Sequence, residues 1–479
     1  MNKSIIRYIM GRVLQFEGLF MLLPAIVAAV HREYSGFVFL GVGLGSALLG
    51  TLFVIRKPKS TVFYAREGFV TVSLSWIVLS LVGALPFVIT GFIPNYIDAV
   101  FETVSGFTTT GASILNNVEA LDYSTQFWRC FTHWVGGMGV LVFIMAVLPL
   151  SGSHNLHLMR AESPGPEVGK LVPRIKDTAK ILYGIYLGLT LLLVVLYVIN
   201  GMSLYEALIY SFSTMGTGGF ANKNLSLGYY SDVIQVITII FMFLCGINFN
   251  VYFLAMRGKV KEIFKSEEVK LYFAAVILGT MVITWQIADR YDDLFHAAKD
   301  AAFQIVAVVS TTGFSTTDFV TWPMLSKAII VLVMVTGGCA GATCGGFKMS
   351  RVVILAKTLK KEVMHLTHPR SVRKIRMSGA PVHEETSKSV VSFLVAYVLF
   401  VFVSFLLVAF NNIDFETSIS SVLTMIGNVG PGLGLVGPSG NYSIYNSFSK
   451  VVLIFDMLAG RLELFPLLVL FNFGTWKKS

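Results

Sequence analysis

Four short loops in this chain carry residues whose types and spacing suit the binding of a dehydrated cation: Thr109-Thr110-Gly111, Thr217-Gly218-Gly219, Thr311-Thr312-Gly313 and Asn428-Val429-Gly430. Glycine tolerates positive φ, so successive backbone carbonyls can be turned toward one axis. Carbonyls arranged in rings replace an ion's hydration shell. The small Thr and Asn neighbours keep such a path narrow and add hydroxyl or amide oxygens. An acidic residue stands thirteen positions before the glycine in the first three loops, at Asp98, Glu206 and Asp300, and fourteen before it in the fourth, at Glu416. Each unit therefore reads as a helix of about three turns that starts at the acid and ends in an extended glycine strand. The acid suits the positive end of the helix dipole, and the C-terminal end aims partial negative charge at the loop. Glycine in membrane helices also serves close packing, but four loops with matching acid-to-glycine spacing favour the binding reading.

A second constellation is TGGCAGATCGGF at 336–347, five glycines within a long apolar stretch. Each glycine costs a helix about 1 kcal/mol relative to alanine, so the segment is expected to unwind beneath the loops. Arg461 is the other outlier, placed near the centre of the last apolar stretch, where a cation without partners is expensive. Glu463 would lie about 200° around a continuous helix and is not its natural partner. Carbonyls or polar groups of another element are the expected acceptors.

The elements that must hold these groups are membrane helices. With 55% hydrophobic and 13% charged residues and a mean hydropathy of +0.72, a chain of 479 residues reads as an all-α polytopic membrane protein. Apolar stretches fall at 9–30, 36–55, 69–92, 126–150, 179–199, 232–256, 269–288, 325–356, 389–410 and 448–472, predicting ten spans and both termini on one side. Most of the 37 Lys and Arg residues cluster on the side of the termini, which places that side in the cytoplasm. The net charge of +10 is chiefly this topology signal, with a secondary attraction to anionic membrane lipid. Basic linkers then divide the chain into a two-helix extension at 1–60 and four pore repeats at 61–150, 151–257, 258–360 and 361–479. Each repeat is a span, a half-helix with its loop, and a span. Two crossings per repeat bring all four half-helices in from the same outer face, so they can surround one axis. Inverted-repeat transporters instead point their broken helices in opposite senses.

The loops, in the segments FETVSGFTTTGAS, STMGTGGF, VVSTTGFST and GNVGPGLG, together with HWVGGMG, GGCAGATCGGFK and GRLE, resemble the Trk/Ktr/HKT superfamily of potassium transporters over essentially the whole chain. Bacterial TrkH-type subunits are the nearest in pattern. The resemblance implies potassium uptake across a bacterial plasma membrane, with the four filter glycines at Gly111, Gly219, Gly313 and Gly430. It implies an intramembrane gating loop containing Gly337, Gly338, Gly341, Gly345 and Gly346, with Arg461 beside the pore. It further implies a homodimer and a cytosolic nucleotide-binding regulatory subunit of TrkA type, for which the linkers near 160–180, 257–265 and 357–376 are the expected docking surface. Combining the loop with the arginine predicts that Arg461 hydrogen-bonds the 337–346 segment and holds it across the path, while Lys348 and the following basic helix transmit a pull from the inner side. Coupled symport with protons or sodium is the alternative mechanism.

Other chemistry is not supported. Gly432-Leu-Gly434-Leu-Val-Gly437 matches the dinucleotide pattern but opens no βαβ unit. Cys130, Cys245, Cys339 and Cys344 lack metal-ligand spacing, and His154 and His157 read as solvated loop residues. No nucleophile and base occur together, so neither an enzyme nor a cofactor is expected, and nothing calls for nucleic acid.

Overall fold

The computed structural model describes residues 1–58, 64–139, 175–370 and 374–476. His154, His157 and most of the 151–178 linker lie outside them. Helices dominate, and the described residues contain a single sheet, a two-stranded hairpin that pairs Arg376 with Pro381 and Met377 with Ala380. Six described helices are long and apolar enough to cross a membrane: Lys3–His31, Ser35–Ile55, Arg66–Ile89, Ala179–Ile199, Glu267–Arg290 and Glu384–Ala409. The chain is an all-α polytopic membrane protein.

Three of the ten predicted spans are broken. The 232–256 stretch forms Asp232–Cys245 and Phe249–Met256, bent by 93°. The 325–356 stretch forms Met324–Thr336 and Met349–Thr367, with the glycine-rich segment unwound between them. The last stretch forms Ser447–Arg461 and Phe465–Phe471, separated where Glu463 and Leu464 take φ of 58° and 61°. The helix expected at 126–150 ends at Gly137, and 140–150 lie outside the described residues. Unpaired backbone polar groups are costly at membrane depth unless protein surrounds them, and the first two breaks satisfy each other. Cys339 N donates to Gly246 O at 2.9 Å, and Phe249 N donates to Gly341 O at 3.1 Å. Hydropathy averages over such breaks because their residues remain apolar.

Four short helices stand within this frame: Tyr96–Phe107, Leu204–Gly216, Leu294–Val309 and Phe415–Gly427. Each begins at a side chain that caps an exposed amide: Asn95 to Ile97, Ser203 to Glu206, Asp293 to Phe295 and Asp414 to Thr417. The caps, rather than the acids, thus start the helices. Asp98, Glu206 and Glu416 fall in the first turn. Asp300 departs from the expectation, lying well inside its helix and bonded to Tyr291 and Thr316 at 2.9 and 3.0 Å. Two other acids make ion pairs instead of standing free toward ions, Asp98 with Lys450 at 2.7 Å and Glu416 with Lys327 at 3.1 Å.

The N-terminal helices Lys3–Phe20 and Ser35–Ile55 pack through glycines. A Cβ on Gly18 would come within 2.4 Å of Gly43 O, and one on Gly11 within 2.6 Å of Gly50 O. Such small-residue contacts bring helix backbones together where apolar burial gives no advantage over lipid.

Candidate functional site

Each short helix ends in the same backbone device. Thr110, Gly218, Thr312 and Val429 donate their amides back to Ser105 O, Ser213 O, Ala307 O and Thr424 O at 2.8 to 2.9 Å. Thr109, Thr217, Thr311 and Asn428 take φ of 55°, 55°, 53° and 52°, and the glycines two positions later take 77°, 83°, 73° and 100°. Alternating left-handed residues with ordinary ones turns successive carbonyls to one side, and a side chain at each glycine would be strained.

The four loops close on one another in order. A Cβ on Gly111 would lie 1.9 Å from Gly218 O, one on Gly219 2.1 Å from Thr312 O, one on Gly313 2.1 Å from Val429 O, and one on Gly430 2.5 Å from Thr110 O. Each glycine thus backs onto the carbonyl just before the next glycine, and the fourth returns to the first. Thr109, Thr110, Thr217, Thr311, Thr312, Asn428 and Val429 have no exposed surface. All four glycines also line one cavity of about 170 Å³.

Side chains that sequence reasoning missed brace this ring. In the first quadrant, Glu102 is buried and accepts from Ile114 N at 3.0 Å, Ser113 Oγ at 2.9 Å and Arg129 Nε at 2.5 Å. Arg129 also donates to Ala221 O at 3.0 Å, tying the first loop to the second. Nine residues before each loop glycine stand Glu102, Tyr210, Gln304 and Ser421. Gln304 donates to Thr317 O at 3.1 Å, the third quadrant's version of the same brace. His133, from HWVGGMG, packs where a Cβ on Gly218 would lie 2.2 Å from its ring.

The glycine-rich segment lies at the inner ends of these loops. Lys348 N donates to Thr336 O at 2.8 Å and Met349 N to Gly338 O at 2.9 Å, pinning the two ends of the segment together. Gly345 N donates to Thr311 Oγ1 at 2.8 Å, and a Cβ on Gly345 would lie 2.5 Å from Gly427 O. Gly337, Gly341 and Gly346 hold φ of 64°, 74° and 82°, while a Cβ on Gly338 would lie 2.4 Å from Cys344 Sγ. Lys348 is buried with φ of 82°, and its ammonium reaches Cys344 O.

Arg461 is the last residue of its helix, not the middle of a span. Its guanidinium donates to Thr343 O at 2.6 Å, Gly137 O at 2.8 Å and Gly136 O, and lies 3.5 Å from Thr109 Oγ1. The expected contact between Arg461 and the 337–346 segment is therefore present. Glu463, correctly excluded as its partner, pairs with Arg351, which also donates to Phe347 O at 3.0 Å. Glu268 was missed. Its buried Oε1 accepts from Ala340 N and from Ser350 N at 3.1 Å, tying the segment to the helix that follows it. The four cysteines are free and buried, and no metal-binding cluster of His, Cys, Asp or Glu occurs among the described residues.

Comparison with known proteins settles the family. Residues 37–287 and 291–475 match TrkH, a family described as cation transport proteins. The chain belongs to the TrkH family. The Trk system potassium uptake protein TrkH of Salmonella typhimurium is 35% identical over 487 residues, covering 99% of each chain. The Trk system potassium uptake protein TrkG of Escherichia coli K12 is 32% identical and covered in full. The crystal structure of the potassium transporter TrkH from Vibrio parahaemolyticus superposes with a TM-score of 0.89 at 33% identity, covering all of both chains. The architecture described here is thus a TrkH-family architecture throughout.

Proposed function

We propose that this chain carries potassium into a bacterial cell through one channel-like pore, with the four-loop ring as its selectivity filter. The observation that carries the reading is the ring's closure: each of four glycines, at positive φ, backs onto the carbonyl just before the next. Thr109 to Gly111, Thr217 to Gly219, Thr311 to Gly313 and Asn428 to Gly430 offer the oxygens that exchange for an ion's water, and four half-helix C-termini add partial negative charge. The relatives named as potassium uptake proteins support potassium as the ion.

The gate in this reading is the 337–346 segment, held by Arg461 and Glu268 at the inner ends of the filter loops. Lys348 joins it to the basic helix Met349–Thr367. An acidic or nucleotide-binding cytosolic regulator of TrkA type docks on the inner linkers and pulls through that helix. The protein works as a homodimer with one pore per protomer, both termini in the cytoplasm, organised as the 1–60 extension and the four repeats.

Coupled symport has one observation in its favour. Glu17 is fully buried, and neither carboxylate oxygen has a hydrogen-bond partner among the described residues; an ionisable side chain within a membrane span is a candidate proton site. Ion flux and reversal potential in proteoliposomes containing only this chain decide between the two. A reversal potential that follows the potassium gradient alone supports the channel. Displacement by a proton or sodium gradient overturns it in favour of coupling, and absence of potassium flux overturns both.

A further inference from the structure

Where the helix Glu384–Ala409 begins, an open cavity of about 820 Å³ lies between it, the end of helix Met349–Thr367 and the 376–381 hairpin. Its lining is mixed. Lys361, Lys374 and Lys388 bring cationic ends to it, whereas Ile375, Val382 and Val391 present apolar surface. Acids are present but do not balance it. Glu384 is engaged by Lys388 at 3.1 Å, leaving Glu362 facing Lys361 and Lys374. A neighbouring pocket adds Lys360 and Arg376, neither with a carboxylate partner among the described residues. The surplus is positive.

The position of the cavity says what kind of anion fits. From Glu384 to Val391 the membrane-crossing helix rises about 10 Å, roughly the depth over which a bilayer passes from headgroups to acyl chains. A second feature points the same way. Leu359, Val363 and Leu366 are 67%, 53% and 81% exposed on the adjoining helix, within about 60° of one another at 100° per residue. An exposed apolar stripe flanked by lysines is the pattern of a helix lying in a membrane surface. Basic pockets beside membrane helices on the cytoplasmic side bind anionic headgroups.

We propose that this cleft is a binding site for a phosphate-bearing anionic lipid, its phosphate against Lys361, Lys374 and Lys388 and its acyl chains along Val391 and the Leu359–Val363–Leu366 stripe. A soluble anion would satisfy the lysines but leave the apolar surface uncovered. A cytosolic regulator docking on the same 357–376 linker would meet its charged residues and leave the apolar stripe to lipid.

The test uses the full chain in micelles with phosphatidylglycerol and phosphatidylcholine of matched acyl chains, and counts retained lipid by native mass spectrometry. The wild type is expected to retain phosphatidylglycerol at least severalfold over phosphatidylcholine. The triple variant Lys361→Gln, Lys374→Gln, Lys388→Gln is expected to lose that preference. Lys259→Gln, Lys261→Gln, Lys265→Gln, the same charge loss in another basic linker, is expected to keep it. Equal loss in both variants, or no loss in the first, overturns the proposal. Displacement of phosphatidylglycerol by millimolar inorganic phosphate would assign the cleft to soluble anions. Unchanged lipid retention with loss of cytosolic-protein binding would assign it to a protein, and either result overturns the lipid assignment. Lipid retention is read without ion flux, so its failure is separable from failure of the potassium reading.

Discussion

Arg461 donates to the carbonyl of Thr343 at 2.6 Å, joining the helix Ser447–Arg461 to the glycine-rich segment across 118 residues of sequence. The same guanidinium reaches Gly137 O at 2.8 Å and approaches the hydroxyl of Thr109, so one side chain links three of the four quadrants. A planar group with five donors suits this task, and a lysine would not span it.

Arg461→Gln should therefore loosen the segment far more than the ring, whose Thr109 hydroxyl it meets only at 3.5 Å. Hydrogen bonds from a charged donor contribute about 1.5 to 3 kcal/mol, so regulator-free potassium flux should rise roughly tenfold or more. The potassium-to-sodium permeability ratio should stay near the wild-type value. Flux in proteoliposomes checks both, and an unchanged basal flux would show that the contact does not hold the path closed.

Gly111→Ser should weaken selectivity. The new Cβ would sit 1.9 Å from Gly218 O on a backbone at φ +77°, so the first and second loops must part. A loss of about 1.4 kcal/mol in discrimination would lower the potassium-to-sodium ratio tenfold. Bi-ionic reversal potentials measure it. A ratio equal to the wild type would remove Gly111 from the filter.

The ring was legible in the sequence because it repeats: glycine, small polar neighbours and an acid return at one spacing, and chance rarely does this four times. The partner of Arg461 was legible because a buried guanidinium needs acceptors and unwound glycines have them. Other features were hidden for physical reasons. Asp300 sits inside its helix because Asp293, an acid at the true start, supplies the cap. The break at Glu463 and Leu464 is marked by Pro466 at the start of the next helix, a signal the unbroken apolar run concealed. The Glu102–Arg129 pair joins residues 27 apart on different helices, and Glu268 meets backbone amides more than 70 residues away. Such meetings depend on tertiary packing.

Asp414 supplies a pH test outside the spans. Hydrogen bonds from the Thr417 side chain and amide hold its carboxyl below the usual carboxylate range. A lowered value means that the cap stabilises the fold above the unfolded value near 4 and that this contribution fades as pH falls through the folded one. Asp414→Ala should cost about 1 kcal/mol at neutral pH, and the gap from wild type should narrow in acid. Thermal unfolding in detergent at pH 7 and pH 3.5 reads it. A gap that widened in acid would refute the cap.

Breaking the Glu102–Arg129 pair should be costlier. Both side chains are buried, and removing one leaves the other charged without its partner, typically a loss of about 3 to 5 kcal/mol. Glu102→Gln retains an acceptor oxygen for Ile114 N, so it should unfold at a lower temperature yet keep a formed ring. Arg129→Met should also leave Ala221 O with Gln126 Nε2 as its one remaining donor among the described residues, loosening the tie between the first two loops and thereby lowering potassium selectivity. If Arg129→Met matched the wild type in both stability and permeability ratio, the pair would be dispensable to the ring.

Glu268 separates a latch from a mere packing residue. One carboxylate oxygen takes the amides of Ala340, within the glycine-rich segment, and Ser350, in the first turn of the helix that follows it. Next to it, Glu267 pairs with Lys357 on the helix that follows the segment. The inner end of helix Glu267–Ile287 thus grips both the segment and the helix that would pull it. Glu268→Ala frees both amides and should raise regulator-free flux severalfold, whereas Glu268→Gln keeps an acceptor at the same place and should stay close to the wild type. A packing role would instead make the two variants differ in stability alone, with basal flux unchanged. Flux of each variant with and without the cytosolic regulator, set beside its unfolding temperature, distinguishes these cases. Basal flux in Glu268→Ala no higher than in the wild type would place the hold on the segment with Arg461 and Lys348 alone.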